Sequence, residues 1–361
     1  MIRSRRGEVL EIRGRRDGLT RLLVAVEGRR ESAVNFDALT GAPEVGDAVL
    51  LNTTAVHLGL GTGGEHFVMA NLSRPEVDMP EGGHIMKLRY SPCQLKVLAA
   101  EETASPQRDA IEAFESLDGM VVVAGSLHSM LAPIAAGIRE AAPEARVAYV
   151  MTDGGALPLA LSDTVHAVKS KGLVHSTITT GHAFGGDCEA VNLHSGLVAA
   201  KQAAGADAAI VLMGPGGVGT GTAFGSTGIE LGEVVNAADC LGGRPIAALR
   251  VSFADPRPRH RGVSHHTQTA LGAVALAAAH VAVPVLEGAA RETVFSDLRE
   301  SGIAQKHTLH EVDGEPALRL LAELGIEPRT MGRSVPEDRE FFLAAASAGI
   351  LAGQVLRGDI Q

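Results

Sequence analysis

The chain has 361 residues, 45% of them hydrophobic and 20% charged, a globular balance with room for two or three domains of roughly 100–200 residues each. Its net charge of −10 argues against nucleic-acid binding by the chain as a whole. Aromatics make up only 3%, with no Trp, so Ala, Val, Leu and Ile must fill the core, and 43 Gly allow close backbone approach.

The charge is uneven. Residues 1–30 hold nine Arg against Glu8, Glu11, Asp17 and Glu27, a local net of +5 that leaves −15 for the rest. This basic start reads either as a phosphate-facing surface or as an edge strand guarded by Arg. Cys93, Cys188 and Cys240 are isolated thiols without CxxC spacing, which fits a reducing compartment. The opening MIRSRRGEVLEIRG lacks the apolar region of a signal peptide. The most lipid-like run, Ala270–Leu286, contains His280 and Pro284 and reads as a buried helix followed by a strand. The expectation is a soluble cytoplasmic protein away from the membrane.

In chain order, GEVLEIR, LTRLLVAVE, ESAVNF, DAVLLNTTAVHLGL and HFVMANL are short, β-branched and separated by glycine turns, which predicts a small barrel or sandwich. The glycine-rich stretch from His57 to His66 reads as a hairpin turn, or as a lid if the module folds back. HIMKLRYSPCQLKVLAAEE reads as one long closing strand, and EETASPQRDAIEAFESLDG as a helical link. From Gly119 strands and helices alternate: strand Met120–Ala124 and helix Met130–Glu140, Val147–Met151 and Leu157–Ser170, Val174–Thr180 and Cys188–Ala204. The pattern continues with Ala208–Met213 and Ile229–Leu241, Ile246–Phe253 and His265–His280, then Val281–Leu286. Such alternation means βαβ units in an open, doubly wound parallel sheet of Rossmann-like α/β type. The tail from Ala289 reads as helical. The predicted organisation is a β-rich module over 1–105, an α/β domain over 106–288 and a helical segment over 289–361 packed on it.

The loops differ by edge. Those returning from helix to strand are plain: AAPEAR, SKGL, AAGAD, LGGR. Those leaving strands are rich in Gly, Ser, His and Asp: GSLHS, TDGGALP, GHAFGGDCE, GPGGVGTGTAFGSTG and ADPRPRHRGVSHHT. Open parallel sheets bind ligands at the carboxyl ends of their strands, so the polar loops predict one shared site there.

Within it, Ser126, His128 and Ser129 stand at a helix start, as caps or as anion contacts. No GxSxG elbow is present. Asp153 suits a ribose hydroxyl, a cation or a cap. His182, Asp187 and Glu189 share a loop and could bind a metal, handle protons, or serve as local caps; with His266 they form the candidate metal set. The Gly214–Gly219 run matches GxGxxG literally, but no helix follows directly and no Gly-Lys-Ser/Thr completes a Walker loop. No nucleotide-cofactor motif stands. What remains is a Gly/Thr loop (Gly216, Gly217, Gly219, Thr220, Thr222) whose N–H groups could cradle an anion, or a flexible lid. The densest cluster is Asp255, Arg257, Arg259, His260, Arg261, Ser264, His265, His266 and Thr267. Ser264 reads as an N-cap, and neighbouring histidines diverge by about 100° on a helix, which makes joint metal ligation awkward. Three Arg beside a helix start favour an anionic ligand.

The motifs GHAFGGDCEAVN, GPGGVGTGT, SFADPRPRHRGVSHHT and HIMKLRYSP together resemble a bacterial family, domain of unknown function 3866, over nearly the whole chain. The resemblance implies a cytoplasmic bacterial protein and assigns no catalytic residue.

The leading expectation is an enzyme acting on an anionic, phosphorylated or nucleotide-like small molecule by hydrolysis or group transfer. Arg257, Arg259, Arg261 and the glycine loop would hold the anion. His260, His265 or His266 would move protons, with Asp255 or Asp187 orienting them. Alternatives are a small-molecule sensor and a metal-dependent hydrolase with a divalent ion. RNA binding by the front module is disfavoured by its few aromatics, Phe36, Phe67 and Tyr90. Ala-rich helices and sheet edges make a homo-oligomer plausible.

Overall fold

A computed structural model describes residues 1–60 and 64–360. The chain divides into two compact units, Met1–Val97 and Leu98–Gln361.

The first unit is a closed five-stranded barrel. Its strands β1 (Ser4–Arg16), β2 (Leu19–Val26), β3 (Arg29–Phe36), β4 (Ala48–Asn52) and β5 (His66–Asn71) pair in the order β1-β2-β3-β5-β4, with β4 closing onto β1. Only β3 and β5 run parallel. Asp17-Gly18 and Glu27-Gly28 take positive φ at both central positions, the two-residue turns whose twist matches antiparallel strands. Val9, Leu22, Val24, Ala33, Val49 and Leu51 fill the interior. Because β1 pairs on both sides, the basic start is not a sheet edge. Arg3 and Arg5 instead converge on Glu27, and their guanidiniums hold its exposed carboxyl down to about 2. The hairpin expected over 57–66 falls in part on residues 61–63, outside the described residues. The long closing strand is in fact a hairpin of β6 (Ile85–Lys87) and β7 (Leu95–Val97), reversed by a turn in which Gln94 N–H donates to Ser91.

The second unit is built on an eight-stranded parallel sheet. Its members are β8 (Val121–Ala124), β9 (Val147–Thr152), β10 (Ser176–Thr179), β11 (Cys188–Glu189), β12 (Ala208–Met213), β13 (Arg244–Ala248), then, after a small hairpin of β14 (Val251–Ser252) and β15 (Gly262–Val263), β16 (His280–Pro284) and β17 (Thr308–Val312). The order is β11-β10-β9-β12-β8-β13-β16-β17. Its central strands are buried on both faces, as a helix-covered parallel sheet requires: Val121, Tyr149 and Ile210 face one core, Val122, Val150 and Val211 the other.

This order sets the position of the site. The connection from β8 goes to β9 on one side, while that from β12 crosses to β13 on the other. The helix after β8, Leu131–Ala141, joins the first core, and the helix after β12, Glu230–Cys240, joins the second. Neighbouring strands whose connections diverge to opposite faces open a crevice at their carboxyl ends.

Several elements depart from expectation for identifiable reasons. The helix after β11 starts at Leu193, not Cys188, because Asn192 and Ser195 form a reciprocal cap. The helix from His265 stops at Val274 in a π-turn: Asn236 accepts N–H bonds from Leu276 and Ala277 and donates to Val274 O, drawing the chain out of the helix. The strand expected over Ile246–Phe253 breaks after Ala248, and Val251–Ser252 turns to pair with Gly262–Val263. The tail is not wholly helical, since β17 adds an edge strand beside β16.

The last helix, Arg339–Leu356, is long and apolar enough to cross a membrane, but 78% of its apolar window is buried inside the unit. It packs against Leu131–Ala141 through Gly137 and Gly349, where any Cβ would strike the opposing backbone at Ala346 and Ile134. Replacing Gly349 by Ala should destabilise the protein by about 2 kcal/mol or more, read as a lower chemical-denaturation midpoint with an unchanged slope. An unchanged midpoint would show that the two helices separate at little cost.

Candidate functional site

Three adjacent strands, β12, β8 and β13, carry loops that meet at the crevice. They line a pocket of about 70 Å³ formed by Ser126 and Leu127 after β8, Gly217–Gly219 and Ser226–Gly228 after β12, and Arg250, Arg257, Arg259, His260 and His266 after β13, with Met331 from the tail.

The pocket depends on one buried carboxylate. Asp255, 1% exposed, accepts both arms of Arg257 at 2.9 and 2.8 Å, the Arg257 N–H at 3.0 Å and Arg250 at 3.2 Å. Arg333 approaches to 3.8 Å and pairs with Asp338, which accepts from Ser252. Hydrogen bonds from Arg257 hold the Asp255 carboxyl far below the usual carboxylate range. Arg250 is brought down to about 10, chiefly by burial. Arg259 makes no ion pair among the described residues and lies against Gly221. Among the described residues, Arg250, Arg257 and Arg259 line the pocket with no carboxylate lining it, and the two carboxylates behind it, Asp255 and Asp338, are shared by Arg250, Arg257 and Arg333, so positive charge is in surplus there in a chain of net charge −10.

The imidazoles of His260, His265 and His266 cluster beside it, with ring centroids 4.0–5.1 Å apart. The β14–β15 hairpin causes this: Ser264 N–H donates to Arg250 O, which returns His260 to the start of the His265–Thr269 helix. Ser264 is not the expected side-chain cap. Its hydroxyl bonds His260 Nδ1 at 2.8 Å, and Ser226 Oγ bonds His266 Nδ1 at 3.1 Å. Burial first, then the neighbouring Arg250, brings His260 down to about 3; burial and His265 bring His266 to about 4; His265 is also lowered, by burial and Arg259. All three rings are neutral near pH 7. A Cβ at Gly219 would meet His266 Cε1 at 2.9 Å, so only Gly lets the loop lie against the ring.

The remaining expected residues divide. Ser126 is in the pocket and buried, and Thr267 is buried beside the cluster; neither hydroxyl has a hydrogen-bond partner among the described residues. Gly217 and Gly219 line the pocket, whereas Gly216, Thr220 and Thr222 do not. The glycine loop is less open than expected, because it folds on itself: Thr220 N–H donates to Gly225 O, Thr227 N–H to Val218 O and Val218 N–H to Thr227 Oγ1. Arg261 is exposed outside the pocket. His128 turns inward, with Nε2 on Ser162 Oγ and Nδ1 near Tyr149 OH and Met213 O. Ser129 donates to Thr330.

Asp187 does not orient the imidazoles. It pairs with Lys169 and accepts from Thr177, tying a helix to β10. Glu189 accepts from Thr179 and Gly185, and Asp153 from the His182 N–H. Among the described residues, the group of His, Cys, Asp or Glu close enough to share a metal is His260, His265 and His266, not the set of His182, Asp187, Glu189 and His266. Asp255 likewise serves guanidiniums rather than an imidazole.

Sequence reasoning missed Arg250, which sits inside the apolar run ALRVSF, and Ser226, one serine in a Gly/Thr loop. It also missed Glu230, a first-turn acid that looks like an ordinary helix start.

A family model described as a protein of unknown function, DUF3866, matches residues 32–349. The chain belongs to this family. Every pocket residue of this DUF3866 member lies within the matched span. A comparison with curated proteins returns no match.

Next to the pocket loop, Thr152 Oγ1 donates to Glu230 Oε2 at 2.7 Å. Burial, reinforced by Asp153, raises the Glu230 carboxyl to about 7. A carboxyl raised in the folded state stabilises below its unfolded value of 4.5, and that contribution disappears as pH climbs through about 7. The Glu230→Gln variant should therefore gain stability over the parent between about pH 5 and about pH 8, by on the order of 1–3 kcal/mol. Thermal melts at both pH values check this; a stability difference that does not change with pH contradicts it.

Proposed function

We propose that this protein is an enzyme that binds a small molecule through a phosphate-like anionic group and acts on it by hydrolysis or group transfer. The carrying observation is the surplus of guanidinium charge at a small crevice pocket, with Arg257 held in place by Asp255 and Arg259 left without a carboxylate among the described residues. Planar guanidiniums match phosphate and carboxylate oxygens in pairs. The unpartnered Ser126 hydroxyl supplies a further donor. A pocket of about 70 Å³ takes a few water-sized groups, at roughly 10–15 Å³ each. That suits an anionic head group, with the rest of the ligand outside. Three neutral imidazoles beside the bound anion supply lone pairs for chemistry.

One observation favours a binding protein instead: among the described residues no base is bonded to Ser126 Oγ, so this pocket hydroxyl is not activated as a nucleophile. Turnover separates the two readings. The free thiols of Cys93, Cys188 and Cys240 agree with a reducing cytoplasm, and the exposed β17 edge with self-association.

Thermal-shift and phosphate-release assays over nucleoside phosphates and sugar phosphates test the proposal. Stabilisation by at least one class is expected. Arg259→Ala should weaken that ligand roughly 10–100-fold, the loss of one charge-assisted contact, while leaving the melting temperature of the free protein unchanged. If no phosphate-bearing compound or inorganic phosphate stabilises the protein, the anion site is refuted. Binding without turnover would leave the sensor reading standing.

A further inference from the structure

We infer that His260, His265 and His266 together hold one divalent transition-metal ion, of zinc type, beside the anion pocket. The inference rests on the anion-site reading only for what fills the ion's open position; ion binding itself stands apart from it.

The first observation is geometric. Each of the three residues offers a ring nitrogen, and these atoms lie within 4.8 Å of one another. Three nitrogens around a tetrahedral ion at roughly 2.0–2.1 Å sit somewhat closer than this, within reach of small rotations of the rings. The rings of His265 and His266 do not diverge as expected of adjacent helical residues but come close together, and His260 approaches them from the β14–β15 hairpin. The centroids of His265 and His266 are 4.0 Å apart.

The second observation concerns nitrogens without partners. His265 Nε2 and His266 Nε2 are both buried and make no hydrogen bond among the described residues. Buried polar atoms are nearly always satisfied, and two orphaned nitrogens in one cluster call for a ligand.

The third is the arrangement behind the rings. His260 Nδ1 meets Ser264 Oγ at 2.8 Å and His266 Nδ1 meets Ser226 Oγ at 3.1 Å. Ser226 Oγ already accepts the Gly228 N–H, and its second lone pair can accept a proton carried on His266 Nδ1. The Nδ1–H tautomer leaves Nε2 with a free lone pair. Metal-bound histidines are commonly anchored in this way through their other nitrogen.

The donor set selects the ion. Three imidazoles without a carboxylate suit zinc, cobalt, nickel or copper and offer little to magnesium or calcium, which prefer oxygen. Three protein ligands also leave a fourth position open. The neighbouring guanidiniums oppose a bare cation, and an anion in the pocket offsets them. Metal and anion should therefore strengthen each other's binding by the same factor.

The test uses the full-length, untagged, chelator-stripped protein, titrated with zinc alone in phosphate-free buffer and with cobalt as a spectroscopic probe. One equivalent of zinc should bind, and cobalt should show the intense visible absorption of a tetrahedral site. His265→Ala, at the partly exposed ring, should weaken zinc at least 10-fold with the metal-free melting temperature retained, and Ser264→Ala should weaken it roughly 10-fold through His260. Repeating the titration with inorganic phosphate should tighten zinc severalfold. Failure to bind stoichiometric zinc or cobalt, or uptake unchanged by His265→Ala, overturns the inference. Zinc binding without the phosphate effect sustains the metal site and counts against the anion pocket; phosphate binding without zinc does the reverse.

Discussion

The buried Asp255 carboxylate organises the pocket at the carboxyl ends of β8, β12 and β13. It draws Arg250 from the strand-to-hairpin turn, Arg257 from the loop and, at longer range, Arg333 from the tail onto one pair of oxygens. Removing one partner of such a cluster leaves an uncompensated buried charge, which costs far more than the net value of the intact cluster. The carboxylate is therefore better understood as a fixture that holds a loop in one conformation than as a source of stability. With the loop fixed, Arg259 and the imidazole cluster have defined places, and the pocket exists.

The sheet supplies the other half of the arrangement. Because the connections from β8 and β12 leave toward opposite faces, the ends of these strands are not covered by their own helices. Gly137 and Gly349 let the helix after β8 and the final helix approach closely on one face, and the Ala-rich helices of the other face pack similarly. Such close packing keeps the crevice walls rigid, as the proposed recognition of a small anionic group needs.

The chain displayed its architecture readily. Alternating apolar runs such as Val147–Met151 and Ala208–Met213 mark strands buried on both faces, and the polarity contrast between the two sets of loops marks the edge where the pocket lies. What was hidden lay in long-range partners. Asn236 ends the His265 helix from a neighbouring helix, and nothing near Val274 announces it. Asp187 and His128 look like site residues because of their types and loop positions, yet Lys169 and Thr177 claim one, and Ser162 and Tyr149 surround the other. Arg250 was concealed by its apolar neighbours. Pairing of His260 with His265 and His266 required the β14–β15 hairpin, whose two-residue strands carry almost no periodic signal.

The most direct measurement is a crystal structure of the intact protein grown in inorganic phosphate. A phosphate ion in the crevice, its oxygens within hydrogen-bonding distance of the Arg257 and Arg259 guanidiniums and the Ser126 hydroxyl, is the predicted result. An ordered pocket containing only water while phosphate occupies other surfaces would contradict it.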